Sequence, residues 1–304
     1  MSSKSKALKG IFSKSPIIVQ LLVVLFLLLF GAVVGSVIFL SSGTNTLWGQ
    51  GIISTFTFVV PAWFIYFLFT PGESCSFPSF YHLRQTPSIW LIILGILLIL
   101  LSTPLINYLN EWNKQMTLPE VLSDVELWMK ETEEQAAQLT QELLDVHDAQ
   151  GLMQNLVVLA LVPAIGEELI FRGTLIPMFN RYVSRHASVW TSAIIFSAIH
   201  LQFYGFIPRM VLGAFLGYLF VWSRSLWVSI CAHFINNATV VLAAYLCLSD
   251  SVDGLGTKDE PGMVILSLLA TTGILYCVFH FTSGPRSRAS VDCPTSETSC
   301  DGDT

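Results

Sequence analysis

Charge is what this sequence has least of. Only 12% of its 304 residues are Asp, Glu, Lys or Arg while 53% are hydrophobic, against roughly a quarter charged in soluble domains. That excludes a water-soluble globular fold. The formal net charge is -6, and the acidic residues gather between Glu111 and Asp148 and in the tails, so the balance describes loops and no nucleic-acid partner is expected. Cys75, Cys231, Cys247, Cys277, Cys293 and Cys300 form no CxxC pair and no regular spacing. This argues against a zinc knuckle or a disulfide framework and for apolar fillers or free thiols. No GxSxG and no HExxH sequence occurs, so serine-hydrolase and ordinary zincin chemistry lack their usual signals.

What is present is a succession of apolar runs. At about 20 residues per crossing they give an all-α, polytopic membrane helical bundle of about eight transmembrane helices, roughly at 17–40, 51–70, 88–109, 152–172, 188–204, 208–223, 225–248 and 262–282. The first run exceeds the usual signal-peptide core of about 7 to 15 residues and reads as an uncleaved anchor. With the N-terminus in the cytoplasm, the inner segments hold Lys4, Lys6, Lys9, Lys14, Arg84, Arg181, Arg185, Arg224, Arg286 and Arg288. The outer ones hold Lys114, Lys130 and Lys258. That asymmetry is the one expected of eight crossings with both termini cytoplasmic, in a plasma membrane expected to be bacterial.

The chain then divides into a basic cytoplasmic N-terminus (1–16), three helices (17–109), an acidic extracytoplasmic segment (110–151), a core (152–248), an outer loop with the last helix (249–283), and a tail (284–304). The tail is polar and aperiodic and is expected to be disordered. Within the acidic segment, Leu118, Leu122, Val125, Met129, Ala136, Leu139, Leu143 and Val146 recur by threes and fours with Thr132 as the exception, the mark of an amphipathic helix. Thr117, Pro119 and Glu120 suggest a capping box. The helix over 118–146 is expected to lie on the ends of the other helices or to pair with another helix; a role in gating substrate is the alternative.

The remaining signal is a set of polar residues inside apolar spans, where ionisable groups are costly and mark function by default. The stretch Leu156 to Arg172 runs into Glu167, Glu168 and Arg172; His200 follows Phe196, and Asn237 follows His233. Glu168 and Arg172, four apart, share a helix face and can pair, whereas Glu167 points about 100° away. At about 1.5 Å per residue, Glu167, His200, His233 and Asn237 fall between the inner half and the midplane, in a cavity expected to open toward the cytoplasm. A secluded carboxylate suits taking a proton from water. Imidazoles and an amide suit holding that water or stabilising an oxyanion.

Glu167, Glu168 and Arg172 as EExxxR, Phe196 and His200 as FxxxH, and His233 and Asn237 as HxxxN resemble, in that order, the motifs of the CPBP family of CAAX-processing and bacteriocin-processing intramembrane proteases, which includes the type II CAAX prenyl endopeptidases. The resemblance covers about 152–240. It implies an intramembrane endopeptidase with Glu167 as the water-activating residue, assisted by His200, with His233 and Asn237 on the oxyanion and Glu168 and Arg172 arranging the site. It also implies a substrate that is a peptide or protein in or at the membrane, with the lipid bilayer as surroundings. Members are described both as metallopeptidases and as metal-independent, and Glu167, His200 and His233 could in principle hold zinc. Two other readings stand beside it: an inactive scaffold or immunity protein that binds a membrane partner, and a proton-coupled transporter. The transporter would favour helices broken in both halves, and Pro163 with Gly166 has no clear counterpart in the first half.

Overall fold

The computed structural model describes residues 9–70, 75–247, 252, 255–256 and 260–283, and among these the structure is helical with no strand. The whole tail expected at 284–304, and Lys4, Lys6, Lys258, Arg286 and Arg288 of the charge argument, lie outside the described residues. In chain order the long helices are α1 (Ile17–Ser42), α2 (Thr46–Phe69), α3 (Ile89–Lys114), α4 (Ser123–Leu144), α5 (149–179), α6 (Arg185–Ala198), α7 (Phe206–Ser223), α8 (Leu226–Tyr245) and α9 (Pro261–Thr282). Among the described residues six helical stretches are long and apolar enough to cross a bilayer: α1, α2, α3, Phe203–Ser223, α8 and α9. The two further spans expected at 152–172 and 188–204 are helical as well. The second is shorter than expected because α6 stops at Ala198 and has 14 residues in all; the first carries the two glutamates and the arginine.

The bundle is dressed for lipid. Ile18, Leu22, Phe26, Leu29, Val33 and Val37 of α1 and Ile265, Leu266, Leu269 and Tyr276 of α9 are exposed, which is tolerable only where the solvent is hydrocarbon. In such a medium backbone groups must be satisfied within each helix, and helix contacts rely on close backbone approach at small residues. Gly31 of α1 illustrates this: an added Cβ would stand 2.0 Å from the Phe56 carbonyl oxygen of α2. The protein is an integral membrane protein.

Three wide, π-helical turns interrupt the helices, at Thr55–Val59 in α2 and at Leu156–Leu161 and Phe171–Leu175 in α5. Each ends two residues before a proline: Pro61, Pro163 and Pro177. A proline ring clashes with the carbonyl four residues earlier and offers that carbonyl no N–H, and an enlarged turn relieves the clash. The break in α2 is a counterpart in the first half that the sequence did not disclose. It packs on α5 at the site itself, for a Cβ on Gly166 would lie 2.8 Å from Cβ of Phe58.

The acidic segment is helical from Ser123 to Leu144, after a short 3-10 turn at Glu120–Leu122. The capping box is not formed, since no side chain caps the 3-10 turn and its N-cap is Pro119. Instead the Leu118 N–H donates to Glu126 Oε2 at 3.1 Å, and Lys130 pairs with the same carboxylate at 2.7 Å. No residue of α4 is buried, but the helix lies against the Phe203–Gly205 turn and against α8. Asn155 of α5 holds its end by donating to the Leu143 carbonyl at 2.8 Å. Cys231, Cys247 and Cys277 are free thiols; Cys75, contrary to the reading of the spacing, is disulfide-bonded.

Candidate active site

The site is built on α5, between its two wide turns. Ala164 and every residue from Gly166 to Ile176 are buried, so a stretch this polar can persist only if its charges find partners. Glu168 is the hub. Its Oε1 accepts from Arg172 NH1 at 2.7 Å and from His233 Nδ1 at 2.8 Å. The pairing of Glu168 with Arg172 read from their four-residue spacing is therefore present, with both side chains sealed from solvent. Arg172 also donates to the Gly213 carbonyl of α7 at 2.9 Å, and its guanidinium lies 4.7 Å over the Phe196 ring. One ion pair thus ties α5 to α6, α7 and α8.

Because a carboxylate accepts, His233 Nδ1 carries the hydrogen in that contact, and Nε2 is directed elsewhere. It stands 3.7 Å from Glu167 Oε2. Glu167 makes no hydrogen bond of its own and keeps 8% of its surface, whereas Glu168 keeps none. The two neighbouring carboxylates therefore differ in kind: one is held through its Oε1 by two fixed donors, and the other keeps a small exposed fraction beside an imidazole.

Phe196 separates the histidines. Its ring meets those of Phe171 at 5.1 Å, His200 at 5.1 Å and His233 at 5.9 Å. His200 lies two residues past the end of α6, and its Nδ1 donates to the Phe196 carbonyl at 2.8 Å, satisfying an orphan carbonyl of the helix end. Its Nε2 is then the nitrogen free to accept. Asn237, one turn beyond His233, is half-buried, and its Oδ1 accepts from Asn236 Nδ2 at 3.1 Å, which leaves its own N–H groups to donate.

The structure thus brings Glu167, Glu168, Arg172 and His233 into direct contact, with Phe196 as their common wall. It places His200 across that ring, with no bond from His200 to Glu167. Among the described residues no group of three His, Cys, Asp or Glu side chains is arranged to hold a metal ion, so the set Glu167, His200 and His233 does not fit zinc in this arrangement. Phe196, which separates the two rings, is the reason.

The cavity is expected from the sequence to open toward the end of the bundle that holds Phe179. In that direction Phe171, Leu175, Ile176, Met178 and Phe179 join one buried apolar cluster with Tyr81 and Leu226. Polar groups continue the opposite way, to Arg209 and Gln202. Arg209 is not among the residues singled out from the sequence. An arginine inside an apolar run was the signal that could have found it.

A bilayer bundle whose buried glutamates, arginine and histidine converge from two helices, α5 and α8, defines a polar, membrane-embedded site. Residues 149–239 match the family model described as type II CAAX prenyl endopeptidase Rce1-like. The chain is thus similar to that family over this segment, which is under a third of its length. It is also similar to the uncharacterized protein YpbD of Bacillus subtilis (strain 168), 32% identical over 88 residues, which is 28% of this chain and 42% of that protein. The match spans about two fifths of the length of this curated relative. No solved structure matches.

Proposed function

We propose that the protein is an intramembrane endopeptidase that hydrolyses a peptide bond of a membrane-associated peptide or protein with water activated by Glu167. The observation that carries this reading is the contrast within the glutamate pair. Glu168 is neutralised by Arg172 and orients His233, while the Glu167 carboxylate, without a hydrogen bond among the described residues, stands 3.7 Å from His233 Nε2. Glu167 takes a proton from water as the water oxygen adds to the scissile carbonyl carbon. The same carboxyl then delivers that proton to the departing amine nitrogen as the C–N bond breaks.

His200 Nε2, left as an acceptor, holds the water. A proton on His233 Nε2, supported by the Glu168 carboxylate behind the ring, and the Asn237 amide donate to the oxygen that becomes anionic. Preorganised donors of this kind supply about 2.7 to 4 kcal/mol each. Phe196 and the apolar cluster behind it keep the pair dry, which strengthens each of these interactions.

The reading uses no metal, in keeping with the failure of the three side chains to converge on one point. The test is cleavage of a mixed peptide and lipopeptide pool by the purified protein, followed by mass spectrometry, with Glu167→Ala and with chelator in parallel. Cleavage that survives chelator and disappears in the variant supports the reading; cleavage lost to chelator sinks it.

A further inference from the structure

Arg209 is the charged side chain at this site that the reaction above leaves unused. It sits in the first turn of α7, and Gly205 lets its guanidinium fold back over the preceding turn: a Cβ at Gly205 would lie 3.1 Å from NH2. NH1 and NH2 donate to the Gln202 carbonyl at 3.3 Å and to Gln202 Oε1 at 2.7 Å. This fixes the plane of the fork.

Two carboxylates are within electrostatic reach of it, Glu133 and Glu167. Neither closes an ion pair with it. Glu167 belongs to the water-activating pair. Glu133 comes from α4, outside the family segment 149–239, and one of its carboxylate oxygens is buried without a hydrogen-bond partner. The helix that carries it is docked on the same turn, with the Trp128 and Phe203 rings 5.6 Å apart. Asn113 Nδ2 clamps the turn by donating to the Phe203 carbonyl at 2.9 Å, and Asn113 Oδ1 accepts from the Ile207 N–H at 2.7 Å.

An oriented guanidinium fork that closes no ion pair among the described residues, on the turn against which α4 brings a carboxylate oxygen without a hydrogen-bond partner, is fitted to receive a carboxylate. Guanidinium recognises carboxylates by two parallel hydrogen bonds, which gives direction as well as charge. We propose that Arg209 is a specificity-determining residue that anchors a carboxylate of the bound peptide, and that Glu133 on α4 occupies its neighbourhood until such a carboxylate displaces it. This deepens the endopeptidase reading and rests on it for the occupant being a peptide. The carboxylate can be the chain terminus or an acidic side chain, and the two are separable.

The experiment measures equilibrium binding of three dansylated apolar heptapeptides to full-length Glu167→Gln protein in nanodiscs. One ends in a free carboxylate, one in an amide, and one in an amide with a single internal glutamate. At least one acidic peptide should bind about tenfold tighter than the neutral amide, the worth of one charge-assisted hydrogen bond. Arg209→Gln should erase that preference without weakening the amide, and Arg209→Lys should keep part of it. Glu133→Gln should tighten only the acidic peptides, and the tighter of the two identifies the source.

Equal binding of all three, no binding of any, or equal weakening of all three by Arg209→Gln overturns the anchor. Unchanged acid affinity in Glu133→Gln overturns the role of Glu133. Arg209-dependent binding in a protein that cleaves nothing leaves the anchor in place and removes only the endopeptidase reading.

Discussion

Replacing Glu168 by glutamine keeps the shape of the side chain and removes its charge, in a place where Glu168 is fully buried and Arg172 is 1% exposed. The guanidinium then keeps its hydrogen bond to the Gly213 carbonyl but has no counter-charge, and an uncompensated buried charge costs about 3 to 5 kcal/mol. Arg172→Met leaves the opposite orphan, a buried carboxylate whose one fixed donor is His233, at a cost of the same order. In the double variant Glu168→Gln/Arg172→Met neither charge remains, and replacing a buried ion pair by uncharged groups is often nearly neutral. The double variant is therefore expected to be more stable than either single one. The coupling energy should be about 3 kcal/mol or more, against about 0.5 kcal/mol for independent sites. Reversible unfolding in mixed detergent micelles measures it. If the two single changes simply add, the hub described here is not one, and the orientation of His233 needs another cause.

Two further outcomes follow from the packing around the site. Gly166→Ala should destabilise the protein by about 1 to 3 kcal/mol through overpacking, and Phe58→Ala should not rescue it, because the clash is with Cβ of Phe58 itself; rescue in the same unfolding assay would show that the helices are not pressed together there. At the start of α4, the hydrogen bonds from Lys130 and from the Leu118 N–H hold the Glu126 carboxyl below its ordinary range. A lowered folded value means that its contribution is complete above the ordinary carboxylate range and is lost as pH falls through the lowered value. The Leu118 amide resonance should therefore stay put down to the ordinary range and shift only below it; a shift already complete at higher pH would remove the bond.

The parts of this account legible in the sequence are those that depend on spacing along one helix. Residues four apart gave the Glu168–Arg172 pair, and the 100° offset gave Glu167 a separate direction. Long apolar runs gave the helical bundle. Contacts between helices were not legible in that way. Nothing local says that Phe196 stands between two histidines, or that Glu133 comes near Arg209, since both depend on packing of segments far apart in the chain. The wide turns were half-legible: Pro163 was recognised as a break, but the pairing of an enlarged turn with each of Pro61, Pro163 and Pro177 needed coordinates. The capping box failed for a plainer reason, because Glu126 offers the Leu118 N–H a charged acceptor from one turn inside α4. Depth was counted along ideal helices, a count that says nothing of what fills either end of the bundle. The apolar cluster around Phe179 fills the end that the count had left open.

The central claim is that the Glu167 carboxylate, left free by its neighbour, takes the proton from water. The measurement that meets it most directly is the single-turnover rate of bond cleavage by Glu167→Gln protein on whichever peptide the wild type cuts, at matched occupancy and with unfolding followed in parallel. Loss of a general base predicts a fall of about 10² to 10⁴ in rate with the unfolding transition unmoved. A glutamine variant that cleaves at the wild-type rate would contradict the account.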